Sequence, residues 1–160
     1  MLVRPPCGSA AHRGFTLIEA LVVLTIAGVL LAIGAPNLSF LIASLNARSA
    51  SFDLVADLAL ARSEAIKRNQ SVTVEPLVTG NWSQGWRIVS GTTTLREHTA
   101  LPSVLSVTSG AGSLQFGSNG RVGPDTDDAN LSWAITSSSA TPRCVVITPT
   151  GAARSKAGAC

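Results

Sequence analysis

The feature that most limits what this chain can become is an apolar run of 21 residues, Phe15 to Ala35, interrupted only by Thr16, Glu19, Thr25, Gly28 and Gly34. At about 1.5 Å per residue such a run makes about 30 Å of helix, enough to cross the hydrocarbon core of a bilayer. Arg4 and Arg13 precede it and no acid does, so the positive-inside rule keeps the N-terminus cytoplasmic and carries the rest of the chain across. The run is too long for an ordinary secretory signal, and "AIGAP" (32–36) only weakly imitates a small-x-small cleavage site. A plain anchor accounts for length and orientation. It does not account for Glu19, because a carboxylate within lipid is costly and marks function.

The stretch Gly14-Phe15-Thr16-Leu17-Ile18-Glu19, abutting the apolar run, resembles the type III signal of type IV pilins and their pseudopilin relatives. The resemblance implies that a prepilin peptidase cuts between Gly14 and Phe15 on the cytoplasmic side. It implies that the new N-terminal residue, Phe15, is then N-methylated. It further implies that Glu19 pairs with the α-ammonium group of Phe15 in a neighbouring subunit during assembly. A buried carboxylate without a partner is unfavourable by several kcal/mol, whereas a paired one is tolerated. The alternative is a carboxylate that snorkels to the headgroups. Pro36 lies where pilin helices commonly carry a proline.

Beyond Pro36 the pattern changes. Leu38, Leu41, Leu45, Phe52, Val55, Leu58 and Ile66 recur mostly at three, four or seven, while Asn46, Arg48, Asp53, Asp57, Arg62 and Lys67 fall mostly elsewhere. Glu64 and Arg68 are spaced for a weak i,i+4 pair. The expectation is one long helix from 15 to about 68. Its first half (15–36) belongs to membrane or filament core, and its amphipathic second half (37–68) packs on a globular domain (69–160), with 1–14 as the leader. Gly28, Gly34 and Pro36 are weak helix points, read either as residues that membrane helices tolerate or as a place that bends on assembly.

Strand-like runs follow near 71–78, 85–90, 92–97, 103–108, 113–117, 130–136 and 143–148, punctuated by Gly80-Asn81, Gly91, Gly110 to Gly112, Asn119-Gly120, Pro124-Asp125 and Ser137 to Pro142. The fold class expected is therefore α+β: a long N-terminal helix, membrane-spanning in its first half, packed on two small antiparallel sheets in a pilin-like arrangement. "LALARSEAIKRNQSVTV" (58–74), "NWSQGWRIV" (81–89) and "LQFGSNGRVG" (114–123) resemble the GspH/FimT branch of minor pilins and pseudopilins. Trp82 and Trp86 read as core residues.

Charge and cysteine usage agree with an exported domain. The net charge of +3 falls to about neutral once Arg4 and Arg13 leave with the leader, Tyr is absent, and charged residues make up 13%. Any cationic function must then be local. If the leader with Cys7 is removed, Cys144 and Cys160 remain for an oxidising compartment. They are expected to form a disulfide, with free thiols or an intermolecular link as alternatives.

Between them lies "TGAARSKAGAC" (150–160), expected to be a cationic loop. Arg143, Arg154 and Lys156 accompany no acid from 143 to 160, a pattern read either as a phosphate-binding surface or as a solvated basic tail on a structural pilin. FimT-type minor pilins carry a C-terminal Gly-Arg-x-Arg motif that binds incoming DNA. Gly151 and Arg154 match it, Ala152 departs from it, and Lys156 follows two positions on. The resemblance thus implies double-stranded DNA as a partner during DNA uptake, beside other pilin subunits, the prepilin peptidase and the inner membrane. The alternative is a GspH-type minor pseudopilin of a type II secretion system, purely structural. Whether Arg121 joins the basic patch depends on the fold.

An enzyme is not expected. His98 is the imidazole left after the leader goes, and no Ser-His-Asp order or phosphate-cradling glycine loop occurs. Asp125, Asp127 and Asp128 lack the central Gly and terminal Glu of a calcium loop. No cofactor or metal is expected.

Overall fold

The computed structural model describes residues 14–109, 112–123 and 131–160. Arg4, Cys7, His12 and Arg13 of the leader, and the Asp125, Asp127 and Asp128 cluster, lie outside the described residues, as does the side chain of Pro36.

Helix α1 runs from Leu17 to Arg68, close to the expected span. It ends in a Schellman motif. Asn69 takes a left-handed φ of 51°, its N–H donates to the Ile66 carbonyl, and the Gln70 N–H donates to that of Ala65, each at 3.2 Å. Asparagine tolerates that conformation better than most residues, so the chain can leave the helix within two residues. In the last turn Arg68 donates to Glu64 at 2.6 Å, and this bond holds the Glu64 carboxyl below its usual range. The contribution exists above the unfolded carboxylate's titration range and is lost as pH falls through the depressed value.

The chain forms two compact units, Met1–Asn37 and Leu38–Cys160. In the first, every large apolar side chain of the described residues is half exposed or more, from Val22 at 50% to Leu17 at 79%. Thr25 donates its hydroxyl to the Leu21 carbonyl at 2.8 Å, so the polar residue in the middle of this run is satisfied within the helix.

In the second unit, α1 buries Ala43, Ala47, Ala50, Ser51, Leu54, Asp57, Leu58, Ala61 and Ala65. They are spaced at three and four, the period of one helix face. This is not the face marked by the bulky residues. Leu38, Leu41, Leu45, Phe52 and Ile66 remain between 49% and 57% exposed, Val55 is half-buried and Leu58 alone of that set is buried. The β domain comes up against the side of the helix where small residues let the backbones approach.

Strands β1 (Val72–Val78), β2 (Asn81–Ser90), β3 (Thr93–His98) and β5 (Leu114–Phe116) form one sheet in the order β3-β2-β1-β5. Strands β4 (Ser106–Ser109), β6 (Leu131–Ser137), β7 (Ala140–Ile147) and β8 (Ala153–Ala157) form the other in the order β4-β6-β7-β8. All pairings are antiparallel. Seven strands were expected where the described residues hold eight. The additional one, β8, is the segment read as a cationic loop. Its Ala-Arg-Ser-Lys-Ala carries no β-branched or aromatic residue, and pairing with β7 overrides that weak propensity.

One core cluster draws on α1 and both sheets: Leu54 and Leu58 from the helix, Val72, Val74, Ile88 and Phe116 from the first sheet, Trp133, Ile135, Val145 and Ile147 from the second. Trp82 and Trp86 are buried core residues, as expected, and Trp82 meets Trp133 edge-on at 5.4 Å, joining the two sheets.

A polar seam crosses the same contact. Asp57, assigned by its spacing to the polar side of the helix, is only 1% exposed. Trp86 Nε1 donates to its Oδ2 at 2.8 Å, and Arg96 Nε lies 3.0 Å from its Oδ1. One turn earlier, Asp53 Oδ2 faces His98 Nε2 at 3.8 Å, and the His98 ring stacks on Trp86 at 4.1 Å. The indole needs a buried acceptor, and this one is an ion whose charge Arg96 balances. Asp57→Ala leaves the indole N–H unpaired and is expected to cost about 3 kcal/mol. It should appear as a lower urea midpoint with an unchanged slope; an unshifted midpoint would show that the seam contributes nothing.

Candidate functional site

At the N-terminal end the motif residues have defined local roles. Thr16 is the N-cap of α1: its Oγ1 accepts from the Glu19 N–H at 3.3 Å and its carbonyl accepts from the Ala20 N–H at 3.1 Å. Thr16-x-x-Glu19 thus has the spacing of a capping box, a signal legible in the sequence that the processing motif obscured. The cap uses the backbone N–H of Glu19, and its side chain is exposed in the first turn, where the helix dipole favours a carboxylate. Phe15 is 76% exposed. Apart from its chain neighbours, no described residue comes within 4 Å of where a Cβ on Gly14 would sit, so packing among the described residues does not require glycine there.

At the opposite end, Cys144 and Cys160 are joined by a disulfide, with Cα atoms 5.1 Å apart. Cys144 lies opposite Lys156 in the β7–β8 register, and Val146 opposite Arg154. Side chains alternate across a strand, so Cys144, Lys156, Val146 and Arg154 share one face, and Arg154 and Lys156 are exposed on it. Cys144 is fully buried even so, because the tail folds back to bond it. Residues 131–160 contain no Asp or Glu.

Arg143 falls on the other face. It shares that face with Val145 and Ile147, is half-buried, donates from Nη2 to Ser155 Oγ at 3.1 Å and lies 5.9 Å from the centre of the Phe52 ring. The three cations expected together are therefore split, with two outward and one turned to the helix. Arg121 sits in the 117–123 loop, whose Val122 N–H donates to the Pro149 carbonyl at 3.1 Å. The fold thus sets the Arg121 loop beside the turn that leads into β8.

Arg62 holds that junction together. From the helix its Nε donates to the Gly120 carbonyl at 3.0 Å. Gly120 and Gly151 have φ of 73° and 80°. A Cβ on Gly151 would run into the Gly120 carbonyl and lie 3.1 Å from Arg62 Nε. Both the left-handed backbone and the close approach demand glycine. Beside this point is a groove of about 480 Å³, lined by Ala59, Arg62, Ser63 and Ile66 of α1 and by Gly151, Ala152 and Ala153.

Residues 50–151 match the family described as Type II transport protein GspH, and residues 9–35 match the prokaryotic N-terminal methylation motif. The chain belongs to the GspH family of type IV pilin-like proteins. Two crystal structures of the type IV minor pilin FimU from Pseudomonas aeruginosa are similar to it. Each is 25% identical over 68% of this chain, with TM-scores of 0.60 and 0.59, covering 87% and 91% of the FimU chains. No curated protein sequence matches.

The GspH-family match takes in α1 from Ala50 onward, strands β1 to β7 and the Arg62 junction, and it ends at Gly151. β8 and Cys160 lie beyond it. The family and fold are those of structural subunits, and the apolar helix with its methylation motif fits an inner-membrane-anchored pilin. In this GspH-family chain the disulfide closes a sequence separation of 16. The Cys144→Ser/Cys160→Ser variant is expected to lose about 3 kcal/mol, measured as a lower thermal midpoint that reductant no longer shifts.

Proposed function

We infer that this GspH-family protein is a minor pilin or pseudopilin matured by prepilin peptidase between Gly14 and Phe15, N-methylated on Phe15, and assembled from the inner membrane into a filament with its C-terminal domain on the periplasmic side. The observation that carries this reading is the N-terminal end itself. A helix of exposed apolar side chains carries a carboxylate in its first turn and begins three residues after a glycine that no described packing contact requires. Its role is that of a structural subunit rather than an enzyme.

Gly14→Val is expected to block maturation, leaving the intact mass of the membrane form with residues 1–14 attached, whereas the wild type begins at N-methylated Phe15. Glu19 pairs with the Phe15 amine of a neighbouring subunit. Because the helix cap uses only the Glu19 backbone, Glu19→Ala keeps the cap while removing the counter-charge. The variant should be processed yet missing from sheared filaments; wild-type incorporation would sink the pairing role.

A second reading, DNA binding during uptake, is favoured by the placement of Arg154 and Lys156 on one exposed face of an acid-free stretch. The Arg121 loop lies beside the turn that leads into β8. Arg143, turned to Phe52 and Ser155, contributes least. The full chain in detergent should retard a duplex at low salt, and Arg154→Ala with Lys156→Ala should each reduce the salt slope by about one unit. No retardation at low salt sinks the DNA reading and leaves the structural role in a pilus or pseudopilus.

A further inference from the structure

The free edge of β8 combines three properties that the pilin reading does not use. The first is backbone. The Thr148 N–H donates to the Ala152 carbonyl at 3.0 Å, and the Gly158 N–H donates to the Pro142 carbonyl at 2.8 Å. These two bonds bracket β8 and set its phase, because antiparallel ladders alternate bonded and non-bonded pairs. Ala152, Arg154, Lys156 and Gly158 therefore turn their backbone groups to β7. Ala153, Ser155 and Ala157 turn theirs away. β8 ends its sheet, so these outward N–H and C=O groups have no strand partner among the described residues.

The second property is an apolar wall. Phe52, Val55, Ala59 and Ile66 follow one another at three, four and seven along α1, and Phe52 and Ile66 are 49% and 51% exposed. α1 lies alongside β8: Ser155 Oγ donates to Ser51 Oγ at 3.0 Å, and Ala59 and Ile66 share the 480 Å³ groove with Ala152 and Ala153. The third property is charge. Arg154 and Lys156 stand two residues apart on the face of β8 away from the helix, within a stretch that has no acid.

We propose that this edge takes up an extended segment of another polypeptide, apolar at every second residue and acidic in between, as a fifth strand of the β4-β6-β7-β8 sheet. The chemistry of the occupant follows from the three properties. An unpaired strand edge recruits extended backbone. Successive side chains of the added strand alternate faces. Those on the helix side meet Phe52, Val55, Ala59 and Ile66, and so are apolar. Those on the other face stand across from Arg154 and Lys156, where cross-strand pairs of opposite charge are favourable. The disulfide of Cys144 to Cys160 keeps the strand's end from fraying, so the edge is ordered before the partner arrives.

The test uses the full chain in detergent micelles and a labelled ten-residue peptide of alternating valine and glutamate, followed by fluorescence anisotropy. The valine–glutamate peptide should bind about ten-fold or more tightly than its valine–lysine counterpart. N-methylation of alternate peptide amides should weaken it by about ten-fold or more. Ala153→Pro removes one outward N–H while leaving the bonds to β7 in place, a position that an edge strand tolerates, and it should weaken binding comparably. If that variant melts early, the N-methylated peptide still decides, since it leaves the protein unaltered. Acidic-peptide binding indifferent to N-methylation would be charge attraction alone and overturns the proposal. So do an absence of peptide binding and duplex DNA binding without peptide binding.

Discussion

The second half of α1 has to satisfy two sheets at once, and it does so by being thin where they meet it. Ala47, Ala50, Ala61 and Ala65 occupy the buried face with Leu54 and Leu58 between them. The volume of the core comes instead from the strands, above all from Trp82, Trp86 and Trp133. Interiors are close-packed, so a large side chain at an alanine position would force a strand away and open the core on both sides. Asp57 follows the same logic. Its carboxylate is short enough to fit under the sheet and polar enough to receive the Trp86 indole N–H, and Arg96 closes it from the solvent side.

This arrangement explains which parts of the fold could be read from the sequence. The apolar run and Gly14-to-Glu19 signal, the helix end near Arg68, the α+β class and the Cys144–Cys160 pairing were all legible, because each rests on local pattern or on simple counting. The buried face of α1 was not. Hydrophobic periodicity weights bulky residues, and here Leu38, Leu41, Leu45, Phe52 and Ile66 lie outside the contact while alanines lie inside it. Asp57 was misplaced for the same reason: a carboxylate reads as solvated unless its partners, 29 and 39 residues further along at Trp86 and Arg96, are known. β8 was missed because Ala-Arg-Ser-Lys-Ala has little intrinsic strand preference, and its pairing with β7 is a tertiary fact.

At the candidate sites the same division holds. Arg143, Arg154 and Lys156 looked equivalent as a cluster of cations in an acid-free stretch. The pleat of one strand pair separates them, sending Arg143 to the Phe52 ring and the others to the surface. Arg121 shows the converse, because backbone bonding of its loop to Pro149 brings near what the sequence holds apart.

The junction at Arg62 has a consequence for how this region can vary. One guanidinium from the helix, one carbonyl at Gly120 and one left-handed glycine at Gly151 occupy the same small volume. Positions in such contact do not respond independently to substitution. A shorter side chain at 62 would open room beside Gly151, while a β-carbon at 151 would push on both of the others. The three positions should therefore behave as a single evolutionary character, changing together or not at all, although they lie in three distant stretches of the chain.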